Sequence, residues 1–199
     1  MINSELNSLI VLGEQIRNVE LKQSVSWNDP TTKAKVVKAV LGLSNLRNGG
    51  FLIIGVEEND GVFNPVGITE EHLNTYNYDN VMCEISRFAD PKAIVRMEIV
   101  EDTELNKKFL VFIVDEFEEI PVICKRNGLE NLKEGTIYTR SLRLPSTVSV
   151  PTQSEMREIM DMATEKGIKK YIKQSKRAGL TLGITEEFEE YDNELEGIR

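Results

Sequence analysis

One stretch constrains the fold more than any other: Asn45-Leu46-Arg47-Asn48-Gly49-Gly50-Phe51-Leu52-Ile53-Ile54-Gly55-Val56-Glu57-Glu58. A polar helix end runs into a glycine pair, and a short apolar strand then ends in two adjacent carboxylates. Asn48-Gly49-Gly50 stops a helix and permits a positive φ. Phe51–Glu58 reads as a strand apolar on both faces, which belongs at the centre of a sheet. The glycine pair also raises the question of phosphate binding. No GxxxxGK[ST] follows and no GxGxxG opens a helix after a strand, so a helix stop with close backbone approach is the better reading.

Other elements fall into place around this strand. Leu6, Leu9, Ile10 and Leu12 suit a short helix over Ser4–Gln15 that packs on something. Val19–Val25 alternates, with Val19, Leu21 and Gln23 on one side and Glu20, Lys22 and Ser24 on the other. Asp29-Pro30-Thr31 starts a helix that runs to about Leu46 and buries Val36, Val37, Val40, Leu41 and Leu43. Val62–Val66 pairs back on the central strand. Thr69–Ala89 is helical with a break near Tyr76–Asp79. Ala93–Val100 and Lys107–Val114 are strands, as are Pro121–Lys125 and Thr136–Arg140. A helical segment over Gln153–Ala163 is followed by a basic helix to about Ala178, and a polar, acidic, poorly ordered stretch closes the chain. Strands outnumber helices without strict βαβ alternation. The class expected is α+β, a mixed β-sheet flanked by helices with a helical C-terminal extension. The expected division is 1–163 for the domain and 164–199 for the basic helix and acidic tail.

Composition excludes several functions. The chain has 199 residues, 40% of them hydrophobic, enough for one sizeable core. Its longest apolar runs are too short to span a bilayer. No basic-then-apolar N-terminal pattern is present, and Cys83 and Cys124 form no CxxC pair, so a cytoplasmic protein with reduced thiols is expected. His72 is the single histidine, which argues against multi-histidine zinc sites and a Ser-His-Asp triad; it reads as a solvated residue at a helix start. The 24 basic and 33 acidic residues give a net charge of −9. Nucleic-acid binding by bulk charge is thereby excluded, and only a local patch remains open. Lys166–Arg177 carries six bases and no acid, whereas Glu186–Glu196 carries seven acids and no base.

Three groups of residues carry chemistry. Glu14, Glu20, Lys22, Glu57 and Glu58 offer carboxylates from separate segments, with a lysine beside them. Carboxylates that hold Mg²⁺ or Mn²⁺ activate water and neutralise a phosphate, and a lysine near the scissile group assists. Glu20 and Lys22 sit two apart on a strand and so point the same way. The alternative is an ordinary solvated strand followed by an acidic turn. Tyr138-Thr139-Arg140-Ser141-Leu142-Arg143 mixes an aromatic, guanidiniums and hydroxyls, which suits a nucleic-acid backbone or equally a plain edge strand. Lys169, Lys173 and their neighbours form a basic helix face for phosphates, or a partner for the acidic tail.

The order E…VE-x-K, helix, SN…GG-[FY]-L-x-I-G-V-[ED]-[ED], paired strands and [IY]-Y-x-R-S resembles the Schlafen/AlbA-type domain from about Glu14 to Ala163. Gly49–Glu58 is the most specific part, and Tyr138–Ser141 supports it. The resemblance implies a mixed α/β domain that binds nucleic acid. In some Schlafen proteins it is an endoribonuclease for structured RNA such as tRNA, with three metal-binding acids. Carried over, these fall on Glu14, Glu20 and Glu58, with Lys22 at the phosphate. Three departures bear on activity: one extra residue between Glu14 and Glu20, one extra between Asn45 and Gly49, and glutamate at position 58 where aspartate is usual.

The resulting expectation is a nucleic-acid-binding protein that acts as a metal-dependent endonuclease on RNA rather than DNA. The alternative is a non-catalytic DNA- or RNA-binding regulatory module. Lys22, Arg140, Arg143, Lys169 and Lys173 are the expected nucleic-acid contacts. A homodimer with a shared groove and a regulatory protein partner are further expectations. Glu20→Gln is expected to abolish metal-dependent cleavage while leaving the fold and RNA affinity nearly intact, because the amide keeps the size and loses the charge that binds the cation.

Overall fold

The computed structural model describes residues 16–180, apart from 60, 103, 104, 144, 145, 150 and 151. The expected helix over Ser4–Gln15, with Glu14, and the acidic tail beyond Leu180 lie outside the described residues. The chain divides into two compact units, Met1–Ala163 and Thr164–Arg199. Among the described residues no helix is long and apolar enough to cross a membrane.

The first unit is α+β. Strands β1 (Val19–Lys22), β2 (Gly50–Ile54), β6 (Val95–Asp102) and β7 (Lys107–Val114) form a sheet in the order β1-β2-β7-β6. β1 runs parallel to β2, and β7 is antiparallel to β2 and β6. A parallel pair needs a crossover, supplied here by helix α1 (Pro30–Ser44). Its start follows from local chemistry: Asp29 accepts the N–H groups of Thr31 and Thr32 at 3.2 and 3.0 Å, and Pro30 occupies the first turn. Val36, Val37, Val40, Leu41 and Leu43 are buried in one core cluster with Leu52, Ile54, Leu110 and Phe112 of the sheet. Val19, Leu21, Ile53, Val100, Phe109, Val111 and Ile113 cluster on the opposite face. Glu20 and Lys22 are in register with Leu52 and Ile54, so they face the α1 side.

The single strand expected over Phe51–Glu58 is corrected at Gly55. Its φ is +122°, and a Cβ there would lie 2.8 Å from the Gly67 carbonyl carbon. The chain turns out of the sheet at that point. Val56–Asn59 (β3) then pairs with Val62–Pro65 (β4) as a separate hairpin. Helices α2 (Glu70–Leu73) and α3 (Tyr78–Phe88) flank the expected break. A second sheet consists of β5 (Ala89–Asp90), β8 (Ile123–Cys124), β9 (Thr136–Arg140) and β10 (Thr147–Ser149), in the order β10-β9-β8-β5. Helix α4 (Gln153–Arg177) is one continuous element where the sequence suggests two.

The end of α1 joins the two sheets. Asn45 is fully buried, and its Nδ2 donates to the carbonyls of Leu41, Val122 and Tyr138 at 3.2, 2.8 and 2.8 Å. Its Oδ1 accepts the Val122 N–H at 2.8 Å. The glycine pair that follows is a matter of space: a Cβ on Gly49 would meet the Val114 carbonyl oxygen at 1.9 Å, and one on Gly50 the Asn18 oxygen at 2.2 Å. Only glycine lets β2 enter between β1 and β7. We expect Asn45→Ala to destabilise the protein by about 3 kcal/mol, because a buried N–H and two buried carbonyls lose their partner. Thermal melting should show a drop of about 10 °C. An unchanged midpoint would show that this junction does not hold the sheets together.

Candidate functional site

β1 is an edge strand, and Glu20 and Lys22 reach past the cover that α1 gives the inner strands. A cleft of about 230 Å³ opens there. Glu20 and Lys22 line it from β1, Lys35 and Lys38 from α1, Glu130 from the β8–β9 loop, and Ser146 and Thr147 from the start of β10. Lys35 and Lys38 lie three apart on one helix face. Three ammonium groups line the opening against the carboxylates of Glu20 and Glu130, and Glu20 is already held by Lys22 and by Arg140 beneath, so the balance favours an anion although the whole chain is acidic.

The floor of the site is set by Arg140, whose side chain is 0% exposed. One oxygen of Glu20 accepts from Lys22 Nζ at 2.8 Å, and the other accepts from Arg140 Nη1. Arg140 Nε donates to the Arg17 carbonyl at 3.0 Å, and Nη2 donates to those of Val19 and Ile16 at 3.0 and 3.5 Å. Arg17 returns the exchange through Nε to the Arg140 carbonyl at 3.1 Å. Its two Nη atoms then hold both Glu158 oxygens of α4 at 3.0 and 2.7 Å. Burial pushes the Arg140 guanidinium below its ordinary pKa, and Glu20 pulls it back up. One helical turn earlier Glu155 is buried; burial works to raise its pKa, yet the N–H groups of Leu142 and Thr152 on its two oxygens hold it below the ordinary carboxylate value.

The expected site residues divide accordingly. Glu20 and Lys22 are brought together at the cleft. Arg140 is joined to them as a buried support; the expectation that it touches nucleic acid directly is corrected by its burial. Arg143 is exposed after β9, and its N–H donates to Ser141 Oγ at 3.1 Å. Lys169 and Lys173 are exposed on the part of α4 in the second unit. Glu58 is exposed on β3, beyond the turn at Gly55. Glu14 lies outside the described residues. Lys35, Lys38, Glu130 and Thr147 are not singled out by sequence. For the two lysines a signal exists: they occupy the polar stripe of α1, opposite its apolar positions. His72 sits at the start of α2 with Nδ1 2.8 Å from Ser24 Oγ, a structural contact away from the cleft.

A divalent metal fits the described residues poorly. Both Glu20 oxygens already have a cationic partner, and among the described residues no three of His, Cys, Asp and Glu gather where an ion could bind. The Arg140 contact also overturns the expectation for Glu20→Gln. The amide would leave a buried guanidinium without its counter-charge, a loss of about 3–5 kcal/mol.

No curated protein matches the chain in sequence. Several solved structures are similar to it, among them the following two. One is the crystal structure of the DIP2311 protein from Corynebacterium diphtheriae, 17% identical, with a TM-score of 0.47, covering 74% of this chain and 26% of that one. The other is the solution structure of the N-terminal domain of a RecG-related protein from Nitrosomonas europaea, 23% identical, with a TM-score of 0.42, covering 67% of this chain and 88% of that one. The chain thus spans about a quarter of the DIP2311 protein. The profile of the Schlafen AlbA_2 family matches residues 16–144, which include β1, the glycine pair, the cleft lysines and Arg140, and the chain belongs to this family of nucleic-acid-related domains.

Proposed function

We propose that the protein binds nucleic acid by its phosphate backbone in the cleft at the β1 edge. The observation that carries this is the convergence of Lys22, Lys35 and Lys38 with Ser146 and Thr147 on one opening. Ammonium groups supply the sequence-independent part of such binding, and the Ser146 hydroxyl would help to fix the register of the phosphates. Lys35 is the cleanest probe, because it is exposed and its ammonium group makes no hydrogen bond or ion pair among the described residues. Lys35→Ala should weaken binding of a single-stranded oligonucleotide about fivefold at low salt and reduce the slope of log K against log salt by about 0.7. Lys169→Ala and Lys173→Ala, read by the same titration, report whether the basic helix adds a second contact. Equal affinities for wild type and Lys35→Ala would place the interface elsewhere.

The finer reading is a Schlafen-like endonuclease that cuts RNA with Mg²⁺ or Mn²⁺, using Glu14, Glu20 and Glu58 as ligands and Lys22 at the phosphate. It is supported by the family order of these residues and by the Glu20–Lys22 pair at the mouth of the cleft. Lys22 and Lys35 would hold the strand and Arg140 would hold Glu20, whose two oxygens would have to give up a cationic partner before they could take an ion. A homodimer would set two such clefts side by side and enlarge the positive surface. Total RNA and single- and double-stranded DNA, each incubated with Mg²⁺, Mn²⁺ or EDTA, test the activity. Glu58→Gln is the informative variant, since Glu58 is exposed and its loss leaves the buried charges paired. It should abolish metal-dependent cleavage while the melting temperature stays within about 1 °C. Full cleavage by Glu58→Gln, or cleavage in EDTA, would contradict the three-acid reading.

A further inference from the structure

We propose that Glu130 makes the cleft select RNA over DNA by accepting a hydrogen bond from a ribose 2′-hydroxyl. This rests on the reading of the same cleft as the nucleic-acid site. Glu130 is an odd residue to find there. It lines an opening otherwise dominated by lysines, yet its carboxylate makes no hydrogen bond or ion pair among the described residues. Its backbone is left-handed, with φ 55°, and Asn131 follows at φ 59°. Two successive side-chain-bearing residues in that region are uncommon and persist only where the surroundings enforce them.

The surroundings do so here. Lys38 Nζ donates to the Glu130 carbonyl at 3.1 Å, not to its carboxylate, and lies over the Tyr138 ring. Tyr138 Oη donates to the Asn131 carbonyl at 2.8 Å and accepts the Lys133 N–H at 2.9 Å. The same lysine and tyrosine that shape the cleft therefore fix the backbone from which the carboxylate is presented.

An ionised carboxylate only accepts hydrogen bonds. A phosphate offers it no donor, so among the lysines it would merely repel a DNA backbone. RNA carries a donor beside every phosphate, the 2′-hydroxyl, and that group distinguishes the two polymers. Lys22 and Lys35 line the same opening and supply the complementary feature, ammonium groups for the phosphate oxygens. Lysines for phosphate, with Glu130 for the adjoining sugar, match the alternating acceptor and donor groups of a ribonucleotide strand.

The test is fluorescence anisotropy in EDTA, with one single-stranded sequence made as RNA, as DNA and as 2′-O-methyl RNA. Wild type should bind the RNA about tenfold tighter than the other two. Glu130→Gly, which the left-handed backbone favours, should bring the three affinities to within about twofold of one another. Glu130→Gln, which keeps an acceptor oxygen and the shape, should retain part of the preference. An unchanged RNA-to-DNA ratio in Glu130→Gly would overturn the proposal. So would an equal tightening of RNA and DNA, which is what removal of a negative charge alone produces, or equal wild-type affinities. Lys35→Ala in the same series separates the two claims: if it changes no affinity, the cleft itself is not the interface, whatever Glu130→Gly does.

Discussion

A buried guanidinium fixes the geometry of this domain. Arg140 has no access to water, and a charge in that position is tolerated only when paired and fully hydrogen-bonded. Glu20 and the carbonyls of Ile16, Arg17 and Val19 meet that requirement. Because those partners belong to β1 and the turn before it, the second sheet is locked to the edge of the first. The same contact aims Glu20 at the cleft. It passes on to α4 through Arg17 and Glu158, so the helix start, the edge strand and β9 form one connected network. Glu20 therefore has a structural part whether or not it has a chemical one.

The electrostatics follow from the topology. An acidic protein attracts a polyanion only where its cations are concentrated and its carboxylates are neutralised or turned to another use. At the β1 edge Glu20 is neutralised by Lys22 and Arg140, and the lysines of α1 stand over it. The parallel β1–β2 pair puts α1 on the same face as Glu20 and Lys22, so the crossover that the sheet requires also builds the wall of the cleft. Gly55 ends β2: with its N–H on the Lys22 carbonyl at 2.8 Å the chain turns out of the sheet, and Glu58 stands on the separate β3–β4 hairpin.

Much of the scaffold was legible in the sequence. Asp29-Pro30 and the glycine pair follow from local chemistry and appear where that chemistry puts them, while the alternation over Val19–Val25 is a strand only as far as Lys22. Lys107–Val114 and its partner strand were legible for the same reason. What was not legible depended on contacts distant in sequence. Arg140 reads as an exposed arginine, for nucleic acid or for solvent, until its counter-charge, 120 residues away, is brought beside it. Gly55 reads as one residue of an apolar strand, because the backbone of Gly67 and Ile68 that forces the turn comes from another segment. β5 and β10 are too short for a periodic signal. Glu130 is invisible in a polar loop, since its backbone conformation is imposed by Lys38 and Tyr138.

If nucleic acid binds in the β1-edge cleft, amide chemical shifts of the labelled protein during titration with a single-stranded RNA in EDTA show it most directly. The largest changes should cluster at Glu20–Lys22, Lys35–Ala39, Glu130, Ser146 and Thr147, and should fade as salt is raised. Changes confined to Lys166–Arg177, with the cleft amides unmoved at saturation, would contradict it.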